Sequence, residues 1–447
     1  MRKLVILLAM LAMAVTINAV QVTMIGTIPG STGPVSGIYD RYNGLTYISI
    51  TNDNIVLAVN GSKVIAAIRV PPGPATPLAA PSGLIYVPNT EWSTVTIING
   101  THMINVIKTG DDPQRPVFDP INGYIYVADH YGNAITIIRD TQLIGSITVG
   151  NNPLPPAIGV NGYAYIPNYY GDSVTIINGV NIIATVPVGR NPETPLYDSI
   201  NKLIYVPNNG GNTISIINGT RVIANVTIGS NPLTPTMDPL TGLVYIASSS
   251  SLYIINGTRI IAEIGIGNAT AAPTYDSRNG FIYVPTNRGL LIVSGTTIMN
   301  NLTLTTSSQP IQGALNYLYV PLNNGSIAIL SMPRYSYLTI KETGLPIGHA
   351  WNLTINGTSQ IINAPLTMIR LPPGTYEYTA TASGFTALNG SGAIKAMGNY
   401  TIQITFTPQG NHYTIQINGY NPILIVTVAA LIVILIIIVA LLLMRRK

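Results

Sequence analysis

The sequence predicts an all-β fold: a β-propeller of eight blades, or seven if the first or last unit is degenerate, then a small β-sandwich and one C-terminal transmembrane helix. Three observations carry this. A Tyr-centred β run recurs about every 40 residues as far as residue 332. Beyond it the period is lost, and alternating strands lie between Gly/Pro turns. An uncharged run of 22 residues, Ile423 to Met444, then precedes Arg445-Arg446-Lys447.

The N-terminus comes first. Arg2 and Lys3 precede an apolar run that ends at the small residue Ala19, the layout of a secretory signal peptide over residues 1–19.

Residues 20–332 form the propeller. Its repeat is marked by Tyr47, Tyr86, Tyr126, Tyr165, Tyr205, Tyr245, Tyr283 and Tyr319, spaced 39, 40, 39, 40, 40, 38 and 36 residues apart. Near-equal β units without helical periodicity signal radial repetition of four-stranded blades. The unit Pro195 to Gly229 shows the four strands a to d. Strand a lies near Leu196-Tyr197-Asp198 and strand b runs from Leu203 to Val206. A loop covers residues 207–212, strand c follows from Thr213 to Ile217, and strand d runs from Val222 to Ile228. Asn218-Gly219 separates c from d, and Asn-Gly between two β runs predicts a type I′ hairpin. The same pair stands at Asn60, Asn99, Asn178 and Asn256. Val22 to Ile28 reads as a lone strand d, while the last unit has a, b and c only. The N-terminal strand therefore completes the final blade and closes the ring, which removes an open edge.

Four of those five turns also read as N-glycosylation sequons, with Ser62, Thr101, Thr220 and Thr258 two residues on; at Asn178 the third residue is Val180. The sequons are Asn60, Asn99, Asn218, Asn225, Asn256, Asn268, Asn301, Asn324, Asn352, Asn356, Asn389 and Asn399. Several are expected to carry sugar. Those at the c–d turns are expected on the membrane-proximal end of the ring.

The runs IYVPN and IYVAD, followed by VTIING or ISIING and then VIANVTIG, resemble the YVTN-repeat β-propeller family. That family is common in archaeal and bacterial surface proteins. The resemblance spans roughly residues 22–332 and implies the fold far more strongly than any activity.

Residues 333–408 change character. Trp351 to Ile355 and Thr401 to Phe406 alternate as strands, which suits a small β-sandwich. The run ETGLPIGHAW resembles an Ig-like module of archaeal surface proteins and thermopsin-like proteases; the resemblance implies no protease chemistry here. Residues 409–421 form a juxtamembrane stalk and residues 422–444 the membrane helix. Its 22 uncharged residues span about 33 Å at 1.5 Å each, against a hydrocarbon core of about 30 Å. The basic tail 445–447 is expected in the cytoplasm, with the ectodomain outside.

Charge fits this picture. Lys and Arg total 21 and Asp and Glu 16. Five of the basic residues lie at the two ends, so the portion between is neutral (21 − 5 = 16 against 16). The net charge thus gives no footprint for nucleic acid. Absence of cysteine excludes thiolate catalysis and Cys-based zinc sites. The four histidines, His102, His130, His349 and His412, are scattered, so no metal or other cofactor is expected. Asp40, Asp119, Asp198, Asp238 and Asp276 each precede an a–b turn, which a side chain can cap. No catalytic residue is assigned.

The informative asymmetry lies in the b–c loops. Consecutive units carry Trp92, then His130 and Tyr131, then Tyr169 and Tyr170, with Arg115 and Arg190 in the intervening d–a connections. In an antiparallel blade these loops emerge at one end, and exposed aromatics among polar groups suit binding. The chain is therefore expected to be a single-pass cell-surface glycoprotein. It would present a propeller for adhesion, recognition or contact with cell-envelope proteins or glycans. Two alternatives stand beside this: an extracellular propeller enzyme of lactonase or glycan-hydrolase type, and a structural subunit of an envelope assembly.

Overall fold

The computed structural model describes residues 23–28, 35–304 and 306–408, the last with gaps at 307, 314–316, 333–335, 347, 356–357, 363–364, 372–373 and 397–399. It is all-β, with ten four-stranded sheets. Seven of these are successive blades: blade 1 (Val35 to Arg69), blade 2 (Leu78 to Lys108), blade 3 (Val117 to Thr148), blade 4 (Ala157 to Pro187), blade 5 (Leu196 to Thr227), blade 6 (Thr236 to Gly265) and blade 7 (Thr274 to Leu302). Blade 8 takes three strands from Ile311 to Ser331 and its outer strand from Thr23–Ile28, which pairs antiparallel with Ile327–Ser331. The ring thus has eight blades, closed by the N-terminal strand.

The core lies between blades. Strands b and c are buried on both faces, so they read as almost continuous apolar runs, and their side chains alternate with period two. In blade 2, Ile85, Val87 and Ile98 pack on Tyr47 and Val56 of blade 1. Tyr86, Val95 and Ile97 pack instead on Ile125, Val127 and Ile138 of blade 3. Each blade is glued to both neighbours by alternate positions of the same two strands.

The repeated tyrosine adds a polar tie. Its ring is buried, and in five blades its hydroxyl donates to a backbone carbonyl in the c–d turn of the next blade. The bonds run from Tyr47 to Gly100 (2.9 Å), Tyr86 to Asp140 (2.8 Å), Tyr126 to Gly179 (3.3 Å) and Tyr205 to Gly257 (2.8 Å). Tyr319 of blade 8 reaches Gly61 of blade 1 in the same way, across the closure.

Three details differ from the sequence reading or refine it. The c–d loop has two residues, Gly61-Ser62 in blade 1, with Asn60 paired to Lys63. Positive φ falls on the glycine (58° at Gly61, 56° at Gly100, 59° at Gly219) and not on the asparagine. That is the φ pattern of a type II′ turn, which takes glycine first, in place of the expected I′. The sequon asparagine is consequently the last paired residue of strand c. Next, the outer strand bulges immediately after the turn, as between Ile97 and Ile98 in blade 2, leaving Ile104 unpaired. Finally, strand b of blade 5 extends to Asn208 and includes Pro207. Pro207 lies beyond the short inner strand Leu196–Asp198, where its missing N–H breaks no ladder bond, and its carbonyl still accepts from Glu193 N–H.

Residues 336–408 form two more four-stranded sheets. Ser336–Thr343 and Tyr400–Pro408 pair in parallel in one; Trp351–Ile355 and Gly374–Thr381 pair antiparallel in the other. One apolar core joins them, with Leu338, Trp351, Leu353, Ile404 and Phe406 all buried. No helix among the described residues is long and apolar enough to cross a membrane. The proposed signal peptide, stalk, membrane helix and basic tail lie outside the described residues.

Candidate binding face

Strand b ends at a buried polar residue that builds the loop beyond it. In blade 4, Asn168 Nδ2 donates to Ser173 Oγ (3.0 Å) and Thr175 Oγ1 (2.9 Å), clasping the start of strand c. Asn89 does the same with Thr94 and Thr96, and Asn208 with Thr213 and Ser215. Blade 3 has Asp129 there; its Oδ2 accepts from Thr136 Oγ1 at 2.7 Å. Burial pushes the Asp129 carboxyl up to about 6, against the lowering pull of that hydrogen bond.

The b–c loop then docks on the d–a connection through backbone bonds. His130 N–H donates to Asp112 O and Tyr131 N–H to Asp111 O. Tyr169 and Tyr170 donate to Asn152 O and Asn151 O, and Asn209 and Gly210 to Asn191 O and Arg190 O. Left-handed residues make both bends: Ser93, Asn133, Asp172 and Asn212 before strand c, and Asp112, Asn152, Asn191 and Asn231 before strand a. Asn and Asp tolerate that region better than other side-chain-bearing residues, which accounts for their recurrence here. The loops are therefore held in place before any partner arrives.

On this frame stand the predicted aromatics. Trp92, Tyr131 and Tyr170 are 64%, 68% and 65% exposed, one per blade in blades 2, 3 and 4. Tyr131 leans on His130 with ring centroids 4.9 Å apart, and Tyr170 meets Tyr169 edge-on at 4.9 Å. His130 Nδ1 also lies 3.2 Å from Pro153 O, latching blade 3 to the connection that enters blade 4. The rings cluster within each loop.

The charged candidates are spread wider. Arg190 is exposed, and its backbone carbonyl holds Gly210. Arg115 is accessible to water, yet it sits deep enough in the ring for desolvation to lower its guanidinium pKa. Desolvation raises the Glu193 carboxyl and also that of Asp112, which nearby His130 partly offsets. Among the described residues, no three His, Asp or Glu side chains come together in a way that could hold a metal ion.

The a–b aspartates act on the backbone. Asp40, Asp119, Asp198, Asp238 and Asp276 are buried, and each accepts from the N–H two residues on, at 2.8–3.0 Å. At that same end a cleft of about 220 Å³ opens between blades 2 and 3, lined by Ser82, Tyr86, Phe118, Arg139 and Asp140. Ten of the twelve sequon asparagines lie in described residues, and all ten are exposed: Asn60, Asn99, Asn218, Asn225, Asn256, Asn268, Asn301, Asn324, Asn352 and Asn389. Asn356 and Asn399 lie outside them.

No family model matches the chain, and no curated protein matches it in sequence. Solved structures do. Virginiamycin B lyase from Staphylococcus aureus, as a catalytically inactive histidine-to-alanine variant with quinupristin, aligns with a TM-score of 0.50 at 13% identity, covering 70% of this chain and 100% of that one. Its selenomethionine form also gives 0.50 at 13% identity, with the same coverage. At such identity the likeness establishes the fold alone: the ring is a β-propeller.

Proposed function

We propose that the chain is a membrane-anchored cell-surface glycoprotein that uses the b–c end of its ring to bind cell-envelope proteins or glycans. One observation carries the reading. Three adjacent blades hold largely exposed aromatics on loops that are hydrogen-bonded in advance. Preorganised aromatic side chains lose little entropy on binding and suit the flat faces of sugars and apolar side chains. The exposed sequons and the uncharged run Ile423 to Met444 support the surface location. The resemblance of IYVPN and ETGLPIGHAW to YVTN repeats and an Ig-like module of archaeal surface proteins supports the class.

The test is binding of the full-length glycosylated chain to a glycan and envelope-extract panel. It runs beside a variant with Trp92, Tyr131, Tyr169 and Tyr170 all changed to Ala. Affinity is expected to fall at least tenfold while the melting temperature holds. Equal binding by both would sink the proposal.

A further inference from the structure

The cleft of about 220 Å³ between blades 2 and 3 lies at the end of the ring opposite the aromatic loops. Two departures from the repeat build it. The first is in the a–b turn of blade 2. In blade 3 this turn closes with Asp119 N–H on Tyr124 O. In blade 2 it closes one residue sooner, with Ala80 N–H on Leu84 O. Ala80 also stands where blades 1, 3, 5, 6 and 7 have the capping aspartate. A shorter turn, with a methyl in place of a carboxyl, leaves room beside Tyr86 and Phe118.

The second departure is in the c–d turn of blade 3. Blades 1, 2, 4, 5, 6 and 7 put glycine first in this loop, at φ 56–60°. Blade 3 has Asp140 there, at φ 50°. A side chain is strained in that region, where glycine is free, and strain that a fold retains points to use. The residue before it is Arg139, where blades 1, 2, 4, 5 and 6 have asparagine. Both side chains line the cleft.

The two charged groups are held ready. Arg139 Nη2 donates to Asn122 O at 2.7 Å, and the guanidinium lies 4.4 Å from the centre of the Tyr124 ring. These contacts fix the side chain and leave other N–H groups to donate. The Asp140 carboxylate makes no hydrogen bond or ion pair among the described residues. Burial, and after it the charge of Asp140, push the Tyr86 hydroxyl up to about 12, so it stays protonated and donates to Asp140 O. Ala80, Phe118 and Ile125 make the rest of the lining largely apolar.

We propose that this cleft binds one neutral hexopyranose unit, with Asp140 accepting from its hydroxyls, Arg139 donating to them, and the apolar lining meeting a C–H face of the ring. Three features choose that class. Adjacent charges of opposite sign leave the cleft without net charge, which disfavours a free anion or cation. Polar groups beside an apolar wall fit a ligand that is apolar on one face and hydroxylated at its rim. The volume matches about seven waters at their share of the liquid, room for one sugar ring and not for a chain. The site is at the other end of the ring from the aromatic loops and does not rest on their role.

The full-length chain, in a detergent without a sugar headgroup, is titrated with glucose, galactose and mannose by saturation-transfer NMR and calorimetry. Alanine serves as a zwitterion and acetate as an anion. At least one hexose is expected to bind in the millimolar range, and alanine and acetate are not. Asp140→Gly restores the glycine of the sister turns. It is expected to hold or raise the melting temperature while weakening hexose binding roughly tenfold or more. Arg139→Gln keeps a donor, removes the charge and is expected to weaken binding roughly threefold or more. Unchanged binding in Asp140→Gly, or binding of alanine in place of hexose, overturns the site. A variant with Trp92 and Tyr170 changed to Ala separates the two ends. Hexose binding lost there and kept in Asp140→Gly overturns the cleft and leaves the aromatic face standing. Repeating the titration after enzymatic removal of N-glycans identifies the source of the sugar. Binding that appears only then assigns the cleft to the chain's own glycan, and binding in both samples assigns it to a sugar from elsewhere. No hexose binding in either sample overturns the proposal.

Discussion

Blades 3 and 4 share a register and differ in the buried group that ends strand b. Asn168 and Asp129 both end strand b with no exposed surface. The Asn168 amide is neutral; its nitrogen donates to two hydroxyls and its oxygen accepts from Gly150 N–H at 3.1 Å. Asp129 has a single side-chain donor, Thr136; the backbone N–H groups of Gly110 and Thr136 lie close enough to pull its pKa down, yet its Oδ1 makes no well-formed hydrogen bond. The same backbone thus accepts either an amide or a carboxyl, and the difference lies in the protonation state each requires. A protonated Asp129 fits the clasp as a neutral group; an ionised one is a buried charge short of partners.

The pH dependence follows from the direction of the shift. The Asp129 carboxyl titrates near 6 in the folded chain against 3.8 for an ordinary aspartate. Between those values the folded state holds a proton that the unfolded state has released, so stability falls as pH rises. The contribution is complete below 3.8 and lost above about 6. At 1.36 kcal/mol per pKa unit the loss is about 3 kcal/mol at neutral pH. Burial shifts Asp112, Asp119 and Glu193 upward as well, so each contributes to stability in the same sense as Asp129.

Reciprocal swaps sharpen the comparison. Asn168→Asp is expected to have the largest effect, costing about 3 kcal/mol at pH 7 and much less at pH 4, read by denaturant unfolding at both. Asp129→Asn is the converse. It should stabilise by about 2 kcal/mol at pH 7, do little at pH 4, and flatten the wild-type pH profile; an unchanged profile would show that Asp129 is not the titrating group. Smallest is Tyr205→Phe, which removes the hydroxyl bonded to Gly257 O while keeping the ring. About 1 kcal/mol is expected at neutral pH, and the Asp198 carboxylate beside the hydroxyl shares in that loss.

The blades themselves were legible because their signals are local. Spacing, Pro/Gly punctuation and apolar runs located the four strands of blade 5 and the lone closing strand. The tyrosines marked the period, but their purpose was hidden. The hydroxyls of Tyr47, Tyr86, Tyr126 and Tyr205 bond carbonyls 52 to 54 residues on, in another blade. The turn type was misread because Asn-Gly fits I′ by residue preference, while pairing of Asn60 with Lys63 moves the glycine to the first loop position. At the candidate face, the aromatics could be picked out as variable loop residues. The backbone bonds that fix them join two loops far apart in sequence, and no local pattern announces those.

The closing strand sets the timetable of folding. Gly26 pairs with Ile329, a separation of 303 residues (329 − 26). Loop-closure entropy grows only slowly with length, so this separation weighs little on stability. It weighs heavily on kinetics, since native contacts this distant slow folding. The first strand to be synthesised must wait, unpaired, until the last blade exists. At about 5–20 residues per second that wait is tens of seconds. Until then the growing ring is an open arc with two unsatisfied ends, and emergence of the strand Ile327–Ser331 is the event that lets it shut.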